Sequence, residues 1–290
     1  MPVPLQKEKL KNFVLNDIRV FFKESLVDKT DVNNNDTPDY VENIAIQADA
    51  TIKALNYLGF INPLESKRYK NVAKFIDIHI VSMKYNGVAY EEPYFFDKDY
   101  ALLIKINNNL NNFPGNYWTV VSHEIFHLYQ YGYSYFKASW YLEGMANWAE
   151  RLLRNDDIEV KATLNLPNSK KSLHESVYNL PYNLFWYRLA KLSPNDNNKT
   201  LPSTLMKMTY VNGDLVFKDN QIIGYHFIIS FLENLQKSSN LYFIYNSFPT
   251  EYQQKDVKTY PIIIGAVKKT MLELEFKKTE EVKKFLRLKL

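Results

Sequence analysis

The chain has 290 residues, 46% of them hydrophobic, and carries a formal net charge of +4. That length and apolar content allow a sizeable buried core and exclude a disordered chain. The charge is mild and forms no basic block, so nucleic acid is not an expected partner; with no cysteine, disulfides and thiolate metal sites are excluded.

In chain order, the first predicted element is Ile18–Phe22, a β-branched and aromatic run that reads as a strand. From Pro38 to Leu58 the apolar residues Val41, Ile44, Ala48, Ile52 and Leu55 recur at spacings of three and four. That is an amphipathic helix, and Gly59 is placed to end it. Phe75–Met83 and Tyr100–Ile106 are two further strands. Asn107–Asn112 and the Pro114-Gly115 pair make a loop.

Beyond that loop the pattern is mostly helical. Tyr117–Tyr131, Ser139–Leu153, Leu184–Lys191, Ile222–Leu235 and Thr279–Leu290 are predicted helices, and the Lys-rich stretch after Val267 reads as solvated faces of amphipathic helices. The expected fold is α+β: a mixed α/β lobe with a small sheet over residues 1–112, and a helical lobe over 113–290, with the chemistry at their junction. No apolar run is long enough to span a membrane. Met1-Pro-Val-Pro-Leu-Gln has no apolar signal core, so the protein either stays inside or is exported by a leader outside this sequence.

His123-Glu124-Ile125-Phe126-His127 is an H-E-x-x-H motif. Two histidines four apart on a helix project from one face, and their imidazoles can hold one zinc ion. The Glu after the first His is turned roughly 100° around the helix, which places it beside the metal as a base rather than as a ligand. A catalytic zinc needs a third protein ligand and one open position. The metzincin extension is excluded, because Gln130 stands at its glycine position and Tyr133 at its third histidine position. A carboxylate on a following helix is the alternative. Glu143, in Trp140-Tyr-Leu-Glu-Gly-Met-Ala-Asn-Trp-Ala-Glu150, fits, and the small residues Gly144 and Ala146 would let two helices approach closely.

The stretch from Asp31 to Glu42 holds a second pattern. Asp31, Asn33, Asn35, Asp39 and Glu42 fall at positions 1, 3, 5, 9 and 12 of a twelve-residue loop, with Thr37 at position 7, where a backbone carbonyl serves. This is the oxygen-ligand spacing of an EF-hand calcium loop. Position 6 is Asp36 instead of the usual Gly, so the turn needs positive φ from a non-glycine residue. The alternative is a polar turn that caps the helix from Pro38.

The H-E-x-x-H motif followed by E-G-x-A-x-W-x-E resembles the gluzincin metallopeptidases. The stretch Asp31–Glu42 resembles the D-x-N-x-N-G-x-P-D-Y-V-E leader of a group of exported bacterial metallopeptidases. The resemblance spans about Ile18 to Leu153. It implies zinc on His123, His127 and Glu143, Glu124 as catalytic base, and a secreted or periplasmic protein. Gluzincins commonly carry an Asp one turn after the ligand Glu, which makes Asn147 the expected hydrogen-bond partner of a zinc-binding His; Glu150 is the lesser candidate. The G-x-M-E-N motif of aminopeptidases is missing, which argues for endopeptidase action.

An oxyanion donor is also needed. Tyr225 and His226 are the downstream candidates, with Tyr129, Tyr131 and Tyr133 nearer the metal helix. His79 reads as structural and His174 as solvated. The expected activity is therefore zinc-dependent hydrolysis of a protein or peptide substrate. The alternative is a calcium-stabilised binding or surface module with a structural or silent zinc site, which a closed four-ligand shell would favour.

Overall fold

The computed structural model describes residues 9–115, 118–154, 164–194, 199–244 and 249–290. The fold is α+β. Six strands form one mixed sheet: β1 (Lys11–Leu15), β2 (Ile18–Phe22), β3 (Phe75–Val81), β4 (Gly87–Ala89), β5 (Tyr94–Phe96) and β6 (Asp99–Asn107). The order is β1-β2-β3-β6-β4, and β5 also pairs with β6. β2, β3 and β6 run parallel, while β1, β4 and β5 are antiparallel to their neighbours.

Alternation along β3 explains how the sheet is covered. Ile76, Ile78 and Ile80 point to one face and are buried, as are Leu102, Ile104 and Ile106 of β6. On that side lie α1 (Asp39–Leu58) and α2 (Val120–Tyr133). Truncating Ile78 to Ala would cost about 2–5 kcal/mol through lost burial and a cavity. Asp77 and His79 point the other way. There Arg19 pairs with Asp77 through Nε at 2.7 Å and Nη2 at 2.8 Å, the Tyr94 hydroxyl donates to Asp77 at 2.7 Å, and His79 Nε2 lies 2.7 Å from that hydroxyl. His79 is a structural member of this network.

Helix α1 ends where Gly59 takes φ +106°, a left-handed cap that glycine adopts without steric cost. After α2 come α3 (Ser139–Ala149), α4 (Phe185–Leu192), α5 (Tyr225–Tyr242), α6 (Tyr260–Glu273) and α7 (Glu280–Arg287), with shorter helical turns between them. The α3 helix stops earlier than its apolar pattern implies; residues Glu150–Leu153 tighten into a 3₁₀ turn. Tyr117, the expected start of α2, lies outside the described residues. The α6 helix and strands β1, β4 and β5 are elements the sequence pattern did not single out. One cluster of buried residues runs from Ile18 to Phe285, across the division expected at residues 112 and 113.

Candidate metal centre

His123 and His127 lie on one face of α2, with ring centroids 4.7 Å apart. α3 packs against α2 and brings Glu143 to them: Glu143 Oε2 is 3.1 Å from His123 Nε2, and Oε1 is 3.7 Å from His127 Nε2. One ligand atom from each of the three residues falls within 4.8 Å of the others, the one such His/Cys/Asp/Glu group among the described residues. Gly144 does not serve the α2–α3 contact. A Cβ there would meet Asn183 Nδ2 at 2.7 Å and Trp186 Cδ1 at 2.9 Å, so its smallness admits the start of α4 instead.

The outer nitrogens of both imidazoles are held. His123 Nδ1 is 2.6 Å from Glu150 Oε1. A carboxylate only accepts, so this nitrogen carries its proton. Glu150 is itself buried and receives hydrogen bonds from the Thr119 hydroxyl and the Arg154 guanidinium. His127 Nδ1 is 2.8 Å from Gln130 Oε1, and the Gln130 amide donates to Leu142 O at 3.2 Å, which fixes its oxygen toward the ring. With Nδ1 of each ring held by Glu150 or Gln130, the two Nε2 atoms face Glu143, and Nε2–H of His123 donates to its carboxylate at 3.1 Å; a metal ion would take the place of that proton. That donor set, two imidazoles and a carboxylate with ordered outer partners, fits zinc.

This corrects the expectation for Asn147. Its side-chain oxygen accepts from Arg154 Nη1 at 3.3 Å and makes no contact with either histidine; the orienting residue is Glu150. Gln130, noted in the sequence only as a missing glycine, orients the other ring. Burial alone would lower the His123 pKa, but its hydrogen bonds to Glu143 and Glu150 outweigh that and raise it to about 10. Burial likewise disfavours the Glu143 carboxylate, yet both histidines hold its pKa below the ordinary value. At Glu124 burial dominates over the attraction of His127 and His123, and the pKa rises.

Glu124 sits under the edge strand. The Ala89 backbone N–H donates to its carboxylate. A Cβ at Gly87 would meet Glu124 Oε1 at 2.8 Å and Cγ at 2.7 Å, so only glycine fits there. Asn107 N donates to Asn86 O, and Tyr90 N donates to Leu103 O, both across to β6. In an antiparallel strand alternate residues bond opposite sides, so the backbone groups of Gly87 and Ala89 face the triad. A cavity of about 590 Å³ opens over this arrangement, lined by Glu124, both histidines, Glu143, the 84–89 segment and Tyr182.

Tyr225 and His226 do not line that cavity; they border a separate crevice with Ser193, Pro194 and Leu274. Tyr129 donates to Asn56 Oδ1 at 2.7 Å, and Tyr133 accepts from Ile61 N at 3.0 Å, so both are spent on packing. Tyr131 borders the cleft, its ring stacked 6.1 Å from His127. The tyrosine in position at the triad is Tyr182, which the sequence did not mark. It is exposed, it lines the cavity together with Glu143, and its ring lies 6.4 Å from His123. His174 is exposed against Tyr178.

In the 31–42 loop the side chains close on Glu42. Asn33 Nδ2 and Asn35 Nδ2 donate to its two oxygens at 2.9 and 2.7 Å. Asp31 accepts from the backbone of Asn35 and Asp36, Asp39 from that of Val32, and the Thr37 backbone donates to Asn35 Oδ1. Asp36 takes φ +65°, the conformation its place in the loop requires, and Asn34 takes +55°. No family model matches the chain, and neither a curated protein nor a solved structure matches it significantly.

Proposed function

We propose that the protein is a zinc-dependent peptidase of gluzincin type. The observation that carries this is the convergence of His123 Nε2, His127 Nε2 and the Glu143 carboxylate beside Glu124, at the floor of an open cleft. Among the described residues three ligand groups converge and no fourth, which leaves a coordination position to the substrate side, as catalytic sites require and closed structural sites do not.

His123, His127 and Glu143 would hold the metal, which supplies Lewis acidity toward a carbonyl and makes water a better nucleophile. The chain's own residues do the rest. The outward N–H and C=O of Gly87 and the C=O of Ala89, whose N–H is taken by Glu124, offer an extended peptide a strand edge to pair with. Glu124, its pKa raised by burial, takes a proton from the attacking water and returns it to the leaving amine. The Tyr182 hydroxyl, exposed at the cavity that holds Glu143, is the donor for a developing oxyanion. Glu150 and Gln130 keep both rings in the tautomer that binds metal.

Calcium on the loop of Asp31, Asn33, Asn35, Thr37, Asp39 and Glu42 belongs to the same reading. So does a secreted or periplasmic location, where a weakly charged loop of this kind would meet enough calcium. No described helix is long and apolar enough to cross a membrane. Elemental analysis of the purified protein, with cleavage of a random peptide library and its loss on chelation, tests the proposal. One zinc per chain with chelator-sensitive cleavage is expected; cleavage that survives complete removal of metal would refute it.

A further inference from the structure

The cleft does not end at the triad. Val88, Ala89, Tyr131 and Glu143 border both the cavity already described and a second one of about 840 Å³. Much of the second cavity's wall is apolar, with Leu103, Leu142 and Pro249 beside the Tyr131 ring. Its charges are unequally engaged. Glu91 is 6% exposed and lies 3.0 Å from Lys137 Nζ, 3.1 Å from Arg68 Nη2 and 2.8 Å from Gln254 Nε2. Glu251 pairs with Lys255. Glu92 is exposed at the same wall and has no ion-pair or hydrogen-bond partner among the described residues. Gln254 Oε1, fully buried at this wall, also lacks a hydrogen-bond partner.

Both ammonium groups at this wall are thus already paired, while one carboxylate and one amide oxygen are not. We propose that this cavity is a subsite for a basic side chain of the substrate, a lysine or arginine whose stem lies on the apolar wall and whose cation meets Glu92. The inference rests on the peptidase reading, because β4 carries an extended chain from the triad into this cavity. Lysine and arginine suit such a lining, with methylenes against apolar surface and a charged head toward the mouth. An apolar side chain would gain the wall contacts alone. An acidic one would face Glu91, Glu92 and Glu251 against two ammonium groups that are taken.

The test is binding, so that it does not depend on turnover. Full-length Glu124→Gln protein loaded with zinc is titrated with blocked peptides in which each position in turn carries Lys, Leu or Glu. At one position Lys should bind about three- to tenfold tighter than Leu, the range of a partly shielded charge pair, and Glu weakest. Glu92→Gln should erase the Lys advantage over Leu, and Glu92→Lys should reverse the order of Lys and Glu. Equal binding of the three at every position, an order unchanged in Glu92→Lys, or no peptide binding would overturn the subsite. Lys-selective binding of peptides that the wild-type protein never cuts would instead overturn the peptidase reading and leave the subsite standing.

Discussion

Nδ1 of His123 lies 2.6 Å from Oε1 of Glu150, a buried carboxylate two helical turns beyond Glu143. This contact fixes the histidine tautomer, and Thr119 and Arg154 in turn fix the carboxylate. Loss of such an orienting partner typically weakens metal binding by roughly 10–100-fold. Glu150→Gln should therefore lose zinc affinity by about that factor in a competition titration with a chromogenic chelator. Asn147→Ala, which removes a side chain hydrogen-bonded to Arg154 and to neither histidine, should bind zinc nearly as well as wild type. Equal affinity in Glu150→Gln and wild type would remove Glu150 from the metal centre.

Gly87 sits over the Glu124 carboxylate with no room for a methyl group. Gly87→Ala must push the edge strand or the base out of place, and a misplacement of about 1 Å can cost 10²-fold in rate. Cleavage should fall by roughly that much while zinc content stays at the wild-type level. Unchanged cleavage would mean that β4 does not position the base.

The Tyr182 hydroxyl is expected to act on the transition state more than on binding. Removing one oxyanion donor costs about 10²–10³ in kcat. Tyr182→Phe should show that loss with KM little changed. A loss confined to KM would reassign Tyr182 to substrate binding.

Calcium should act on stability. A ligand specific to the folded state, present at a hundredfold excess over Kd, adds about 2.7 kcal/mol. Calcium should thus raise the melting temperature of chelator-treated protein by several degrees, and Glu42→Gln should blunt the rise, because the Asn33 and Asn35 amides converge on Glu42. A melting curve indifferent to calcium would leave the 31–42 loop as a polar helix cap.

How far the sequence carried these conclusions depended on periodicity. The helix from residue 39, the strands at 18 and 75, and helices α2 and α3 were legible in the apolar pattern, and Gly59 marked where the first helix ends. The short edge strands were not, since three residues such as Gly87–Ala89 carry no period. His123, His127 and Glu143 were legible because helix geometry ties spacing to space. Glu150 was weighed too low because the change from α to 3₁₀ after Ala149 alters where the next side chains point. Tyr182 escaped because it reaches the triad from an irregular segment before α4, where spacing says nothing about position.

The central claim is tested most directly by Glu124→Gln. Glutamine keeps the shape of the side chain and cannot accept the proton, and a placed acid–base group contributes roughly 10²–10⁴-fold. Zinc content and peptide cleavage should be measured together on this variant and on wild type. The account predicts one zinc per chain in both proteins, with cleavage lower in the variant by at least 10²-fold. A zinc-loaded Glu124→Gln that cleaves at the wild-type rate would contradict it.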